Sequence, residues 1–414
     1  MVRYNGNKRF KLAKLQNSFI LQVLMIILGV ASGLSGISYI QNFGIFIAEI
    51  FIQMFRCVSL PIIALSIIVT LSGYSSDAMM PSIWKRTMRY TIGTTLFAAI
   101  ISCILYILIR PHNVSANIVT PKESVINSSS YLKYLQEIIP ANIITPFIEY
   151  KVMSILLIGV VLGFAMRQIP DEDAKRVVIN FFRGLYSIFF LVTKWIVMLL
   201  PIGVYGFITS LVVQLKGGVN LGGLSGYLSI IIIANLIQGF IILPLWLQLN
   251  GINPFVMMKN MMPALSLAFF SKSSAGTLPV TMDAAISRAK IDPKISRFVL
   301  PLCTTINMNG CAAFIFTTVI YLMQNHGIDI TTMTFITLIF VATIASIGNA
   351  GVPMGCFFLS ISLLSSINVP VTLMALILPF YTVIDMIETA LNVWSDSCVA
   401  KVVDKHEIMN TGDS

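Results

Sequence analysis

Eight stretches of this chain are each apolar over a length that crosses about 30 Å of hydrocarbon. They cover residues 18–40, 45–73, 88–109, 150–166, 186–213, 223–248, 294–323 and 371–400, the fourth being short. A globular interior of 414 residues cannot hide that many all-round apolar helices behind a polar surface. Charged residues make up only 11% of the chain, against about 25% in ordinary soluble domains, and the mean hydropathy is +0.87. A water-soluble enzyme is excluded. The expected fold class is an all-α polytopic membrane protein.

Charge gives the orientation. The net charge of +10 comes from 27 basic and 17 acidic residues; basic flanks of membrane spans account for it, without a nucleic-acid partner. Arg3, Lys8, Arg9, Lys11 and Lys14 precede the first span, and the loop at 36–46 has no basic residue. Further clusters follow at Lys85/Arg86/Arg89, at Arg167/Lys175/Arg176/Arg183 and at Lys401/Lys405. The alternation predicts eight spans in an inner or plasma membrane, with both termini cytoplasmic and the 111–149 loop outside. The first span has basic flanks and no small-residue cleavage site, so it is expected to be retained. Six scattered cysteines argue neither a disulfide framework nor a zinc site. No Walker-type loop or HExxH motif is visible, and no enzyme activity or organic cofactor is expected.

Two further apolar segments, 255–287 and 332–366, are interrupted in the middle, by SKSSAGTLPVTM around 271–282 and by ASIGNAGVP around 345–353. Lipid tolerates non-helical backbone only where protein buries it or water reaches it. Two re-entrant helical hairpins flanking the 294–323 span are the expected reading, and they point to a binding site between inverted repeats. A pair of kinked spans would show the same interruptions.

The last span carries the chemistry. In YTVIDMIETALNVWSD, at about 100° per residue, Tyr381, Asp385, Glu388, Thr389, Asn392 and Asp396 share one stripe. Each carboxylate inside a span costs about 2.5–3.5 kcal/mol, so three need compensation. A cation, a substrate ammonium, water, protonation or Lys272 would supply it; a salt-bridge network without ligand is the structural alternative. Carboxylates with amide oxygens suit a hard cation such as sodium and suit an ammonium equally. The preceding span holds Thr304-Thr305-Ile306-Asn307-Met308-Asn309-Gly310-Cys311. Glycine among amides there predicts local unwinding, which frees carbonyl oxygens for a cation.

With these motifs, SRFVLPLCTTINMNG and D..ETALNV.SD among them, the chain resembles the glutamate transporter homologue family, the dicarboxylate/amino acid:cation symporters. The resemblance runs over nearly the whole length and implies a homotrimeric elevator transporter. Scaffold helices would occupy 1–85 and 150–215. Transport-domain elements would occupy 86–110 and 216–404, with a tail at 405–414. It also implies an amino-acid substrate and sodium ions or protons as coupling ions. Asp385 matches the acid that pairs with the substrate ammonium. Asn392, Ser274 and the hairpin positions Ser273 and Gly351 match the surroundings of the α-carboxylate, and Thr389 a further polar contact. Asn307, Asn392 and Asp396 match one sodium site. Backbone around Thr305 to Met308 and Ser346 to Asn349 matches another.

The residues that would read the substrate side chain depart from the pattern. Glu388 stands where acidic-substrate members have arginine, Cys311 where they have threonine, and Cys356 where they have glycine. An anion facing an anion in low dielectric costs several kcal/mol, so glutamate and aspartate are expected to be poor substrates. Either a cationic substrate side chain pairs with Glu388, or Lys272 or a proton neutralises it beside a small neutral amino acid. The third sodium site is expected to be weakened or absent. Asn309 replaces its aspartate and Thr91 its tyrosine, although Thr94 and Thr95 remain. An amino-acid-gated anion channel is the alternative function class. Gly29 and Gly33 fit small-xxx-small packing, but apolar spans are rich in small residues, and chance is the expected reading.

Overall fold

The computed structural model describes residues 21, 24–72, 81–114, 139–149, 152–216, 222–347, 349, 354–367 and 369–412. These form helices joined by short connections, with no β-strand among the described residues. The first three are α1 (Leu24–Leu34), α2 (Ser38–Ser72) and α3 (Pro81–Ile109). Next come α4 (Val152–Arg167), α5 (Glu172–Met198) and α6 (Leu200–Lys216). Helix α7 (Gly222–Leu249) contains a wide turn at Gln238–Ile242. After it come α8 (Pro254–Ser271), α9 (Ser274–Ser287), α10 (Pro293–Ile306) and α11 (Asn309–Asn325). The chain closes with α12 (Thr332–Ile347), α13 (Gly355–Ser366) and α14 (Met374–Gly412).

Five helical stretches among the described residues are long and apolar enough to cross a membrane: Ser82–Ile109, Glu172–Thr193, Gly222–Leu249, Pro293–Asn325 and Met374–Glu407. The expected spans at 18–40, 45–73 and 150–166 fall on α1, α2 and α4. At 1.5 Å per residue α4 covers only about 24 Å, in line with its short apolar run. The expected span at 186–213 is divided. Helix α5 starts earlier, at Glu172, and the chain breaks at Leu199, two residues before Pro201, with α6 beginning at Leu200. Proline removes an amide donor and ends the ladder there.

Helix α2 packs on α4, α5 and α6, while α11 is surrounded by α3, α7, α12, α13 and α14. A second apolar core joins α8, α9 and α10 to the far half of α14. Large hydrophobic residues such as Phe43, Phe46, Leu108, Phe181 and Phe240 face outward, as a lipid-facing surface requires.

Chance is not why Gly29 and Gly33 are spaced as they are. Both lie against α6, and a Cβ on Gly29 would stand 2.8 Å from the Ile208 Cβ. The Thr209 hydroxyl hydrogen-bonds the Gly29 carbonyl at 3.3 Å, an approach that larger side chains would block.

Candidate functional site

Both interrupted segments fold as helix pairs. Helices α8 and α9 pack on each other and meet at Lys272, whose φ of 53° reverses the chain. The Ser273 hydroxyl then caps α9 by accepting from the Gly276 amide at 3.1 Å, leaving the turn closed by its own side chain. In the second pair, α12 ends at Ile347 and α13 starts after Met354, which has φ 62°. Most of the connecting tip, including the expected substrate contact Gly351, lies outside the described residues.

Between the pairs, α10 stops at Ile306 and α11 starts at Asn309. Asn307 and Met308 have ψ of 73° and 68°, which interrupts the helical ladder and leaves end carbonyls without the next turn's amides. The expected unwinding is therefore present, but Gly310 does not cause it. Gly310 is helical, donates its amide to Asn392 Oδ1 at 2.9 Å, and allows α11 to touch α14.

A cavity at this junction is lined by Lys272, Ser274, Met308, Asn349, Cys356, Asp385, Glu388, Thr389 and Asn392. Seven of these are expected substrate or sodium residues, Lys272 is the expected charge partner, and Asn349 ends the second expected backbone stretch. Cys311 is fully buried behind the wall, beside Cys356 and Glu388. Ser273, turned into its cap, is not among the lining residues.

The acidic stripe is enclosed: Tyr381, Asp385, Glu388, Thr389, Asn392 and Asp396 are all buried. Asp385 accepts from the Met354 amide at 3.2 Å, and its other oxygen faces the Tyr381 hydroxyl at 3.4 Å. The same hydroxyl stands 3.3 Å from Glu388 Oε2. It has one proton, so it donates to one carboxylate at a time. Glu388 Oε1 is buried with no partner among the described residues. The Lys272 charge acts on Asp385, and no ion pair to Glu388 is formed among the described residues. The Thr389 hydroxyl donates back to the Asp385 carbonyl at 2.7 Å.

About two helical turns further along, a network of amides surrounds Asp396. Asn307 donates its Nδ2 to Asp396 Oδ1 at 3.0 Å and to Ser395 Oγ at 2.9 Å. Asn309 donates to Asn307 Oδ1 at 2.9 Å and to Ser395 Oγ at 2.8 Å. The Thr94 hydroxyl stands 3.0 Å from Asn307 Oδ1 and 3.1 Å from the Thr91 carbonyl, and its one proton goes to one of them at a time. Gln238 donates to Asn309 Oδ1 at 2.7 Å and to the Thr94 carbonyl at 3.0 Å. Asp396 Oδ2, Asn349 Oδ1 and Thr95 Oγ1 are buried without partners among the described residues. These orphaned oxygens are the donor type a hard cation takes. The Thr305 and Ser346 hydroxyls donate back to the carbonyls of Leu302 and Thr343, which leaves their oxygen lone pairs open. Met308 offers its sulfur to the amides of Asn349 and Asn392, at 3.7 and 3.4 Å. Thr91 contacts the Cys303 sulfur at 3.8 Å.

Sequence reasoning missed Gln238 and Ser395. Gln238 opens the wide turn in α7, and such turns often mark functional positions. A lone buried amide in an apolar span was the available signal. Ser395 lies next to Asp396 but reads as an ordinary small helix residue.

Comparison with known proteins matches the chain to the sodium:dicarboxylate symporter family over residues 19–406. It is 27% identical to the putative sodium-dependent excitatory amino acid transporter glt-4 of Caenorhabditis elegans, over 95% of this chain and 90% of that protein. Excitatory amino acid transporter 3 of Mus musculus is 26% identical, over 92% and 83%. Neutral amino acid transporter A of Homo sapiens is also 26% identical, over 91% and 79%. The apolar helices and the match across nearly the whole chain lead to one conclusion: this membrane protein belongs to the sodium:dicarboxylate symporter family.

Proposed function

We propose that this protein is a secondary active symporter that moves an amino acid with a cationic side chain, coupled to sodium ions. The observation that carries the substrate reading is Glu388, a buried carboxylate at the cavity wall whose Oε1 has no partner among the described residues. Asp385 takes the substrate ammonium, while Asn392, Ser274 and the hairpin backbone take its carboxylate. Glu388 takes a side-chain ammonium or guanidinium. Relatives named as excitatory and neutral amino acid transporters support an amino-acid substrate, and one named sodium-dependent supports sodium as the coupling ion.

Eight spans, two re-entrant hairpins related by inverted repeats, and a homotrimer of elevators in the plasma membrane complete the proposal, with both termini cytoplasmic. Residues 1–85 and 150–215 serve as scaffold, and 86–110 and 216–404 move. Asn307, Asn392 and Asp396 bind one sodium ion, and backbone around Thr305–Met308 and Ser346–Asn349 binds a second. The third site near Thr94, Thr95 and Asn309 is weakened, because Asn309 keeps an oxygen ligand but lacks the charge of an aspartate, and that oxygen accepts from Gln238 at 2.7 Å. A second reading, a small neutral substrate beside a protonated Glu388, is favoured by the complete burial of that carboxyl, which penalises its charged form.

Thermal stability of the purified protein against a panel of amino acids, in sodium chloride and in choline chloride, tests the proposal. A ligand at 100 times its Kd stabilises by about 2.7 kcal/mol. Lysine, arginine or ornithine is expected to raise the melting point in sodium. A shift with serine or alanine alone selects the second reading, and a shift with aspartate overturns both. Uptake into vesicles against a gradient separates a symporter from an anion channel.

A further inference from the structure

Cys356 lines the cavity, and the thiol of Cys311 lies behind it. Cys311 is the third residue of α11 and Cys356 the second of α13, so each sits in the first turn of its helix. They are 0% and 2% exposed, and their thiols face each other within interaction range. Cys356 lines the cavity itself, and the Asn349 amide approaches its sulfur at 3.4 Å. The Glu388 carboxyl is also a neighbour of Cys356. Among the other cysteines, Cys57 is exposed, and Cys103, Cys303 and Cys398 are buried.

The geometry points to Cys311 and Cys356 as a dithiol site that captures a small neutral thiophile, trivalent arsenic as arsenous acid, and so ties α11 to α13 across the cavity. The ligand class follows from charge and softness. Paired sulfurs prefer a soft centre, whereas the hard-cation oxygens gather separately around Asn307 and Asp396. Burial disfavours any product that carries net charge beside Glu388. Arsenous acid and two thiols satisfy this. Two As–O bonds break and two As–S bonds form, each thiol proton leaves with a hydroxide as water, and arsenic stays trivalent. The product is neutral and no oxidant is needed. This inference concerns chemistry of the cavity wall and does not depend on which amino acid is carried.

The test uses the full-length protein in detergent with sodium arsenite, read by arsenic X-ray absorption and by mass mapping of the modified cysteines. Two sulfur neighbours and one oxygen are expected, bridging the peptides of Cys311 and Cys356. Release is expected with a dithiol and not with an equal amount of monothiol. Cys311→Ser and Cys356→Ser should each weaken binding by roughly 100-fold or more, because a second bond formed within one molecule gains that much from effective concentration. Cys57→Ser should bind as the parent does. One sulfur or none in the parent, or two sulfurs mapped to any other pair, overturns the assignment. Spectrum and map come from the unaltered protein, so they decide the matter even if a serine variant fails to fold.

Discussion

Gly310 lies so close to Glu388 that a Cβ on it would stand 2.8 Å from both the Cα and the Cβ of that residue. The missing side chain on α11 is therefore what lets α14 present its buried carboxylate at the cavity. Gly310→Ala must push the helices apart or tilt Glu388. Overpacking of this kind costs about 1–3 kcal/mol. A lowered melting temperature together with weakened substrate binding is expected from thermal unfolding with and without ligand. An unchanged melting temperature would show that the contact is loose.

Substitution at Glu388 separates the two substrate readings. Breaking a buried ion pair by removing one partner costs about 3–5 kcal/mol, so Glu388→Gln should weaken a cationic substrate by at least two orders of magnitude, and a neutral one far less. Glu388→Arg should abolish the cationic substrate and let aspartate stabilise the protein. If aspartate binding does not improve in Glu388→Arg, the residue does not read the substrate side chain. Titration calorimetry of the variants measures both effects.

Gln238 holds the Asn309 amide and the Thr94 carbonyl together. Gln238→Leu leaves Asn309 Oδ1 buried without its donor, at about 1–3 kcal/mol for an unsatisfied group, while the Thr94 carbonyl, inside α3, keeps its helical amide. Reduced stability and an altered response to sodium are expected together. Loss of stability with an identical sodium titration would confine Gln238 to a structural role.

Asn309→Asp replaces a donor with a charged oxygen where Asn307 Oδ1 now accepts. Sodium dependence of transport should become steeper than in the parent protein. A Hill coefficient near three in the parent would overturn the weakened third site.

At the other end of the molecule, Gly29→Leu should drive α1 away from α6, because a Cβ already meets Ile208 at 2.8 Å. A fall in melting temperature with little change in substrate affinity is the expected pattern. Altered substrate affinity at unchanged stability would place the α1–α6 contact in the transport cycle instead.

Some of this was legible in the sequence because it depends on period and solvent. Apolar run length decides that helices cross lipid, and the spacing of Asp385, Glu388, Asn392 and Asp396 puts them on one face whatever surrounds them. Lys272 and the residues after Ser271 mark the turn between α8 and α9 by composition. Other features depend on distances between remote segments. Sequence offered Lys272 as a partner for Glu388, but the two line one cavity with no ion pair between them among the described residues. Gly310 read as a point of unwinding; its role is contact with a residue 78 positions away, since 388 − 310 = 78. The amide network of Gln238, Asn309, Asn307 and Ser395 joins three helices, and no local pattern announces it. Periodicity along one helix is a property of the chain, whereas which helix supplies the facing donor is fixed only when packing brings them together.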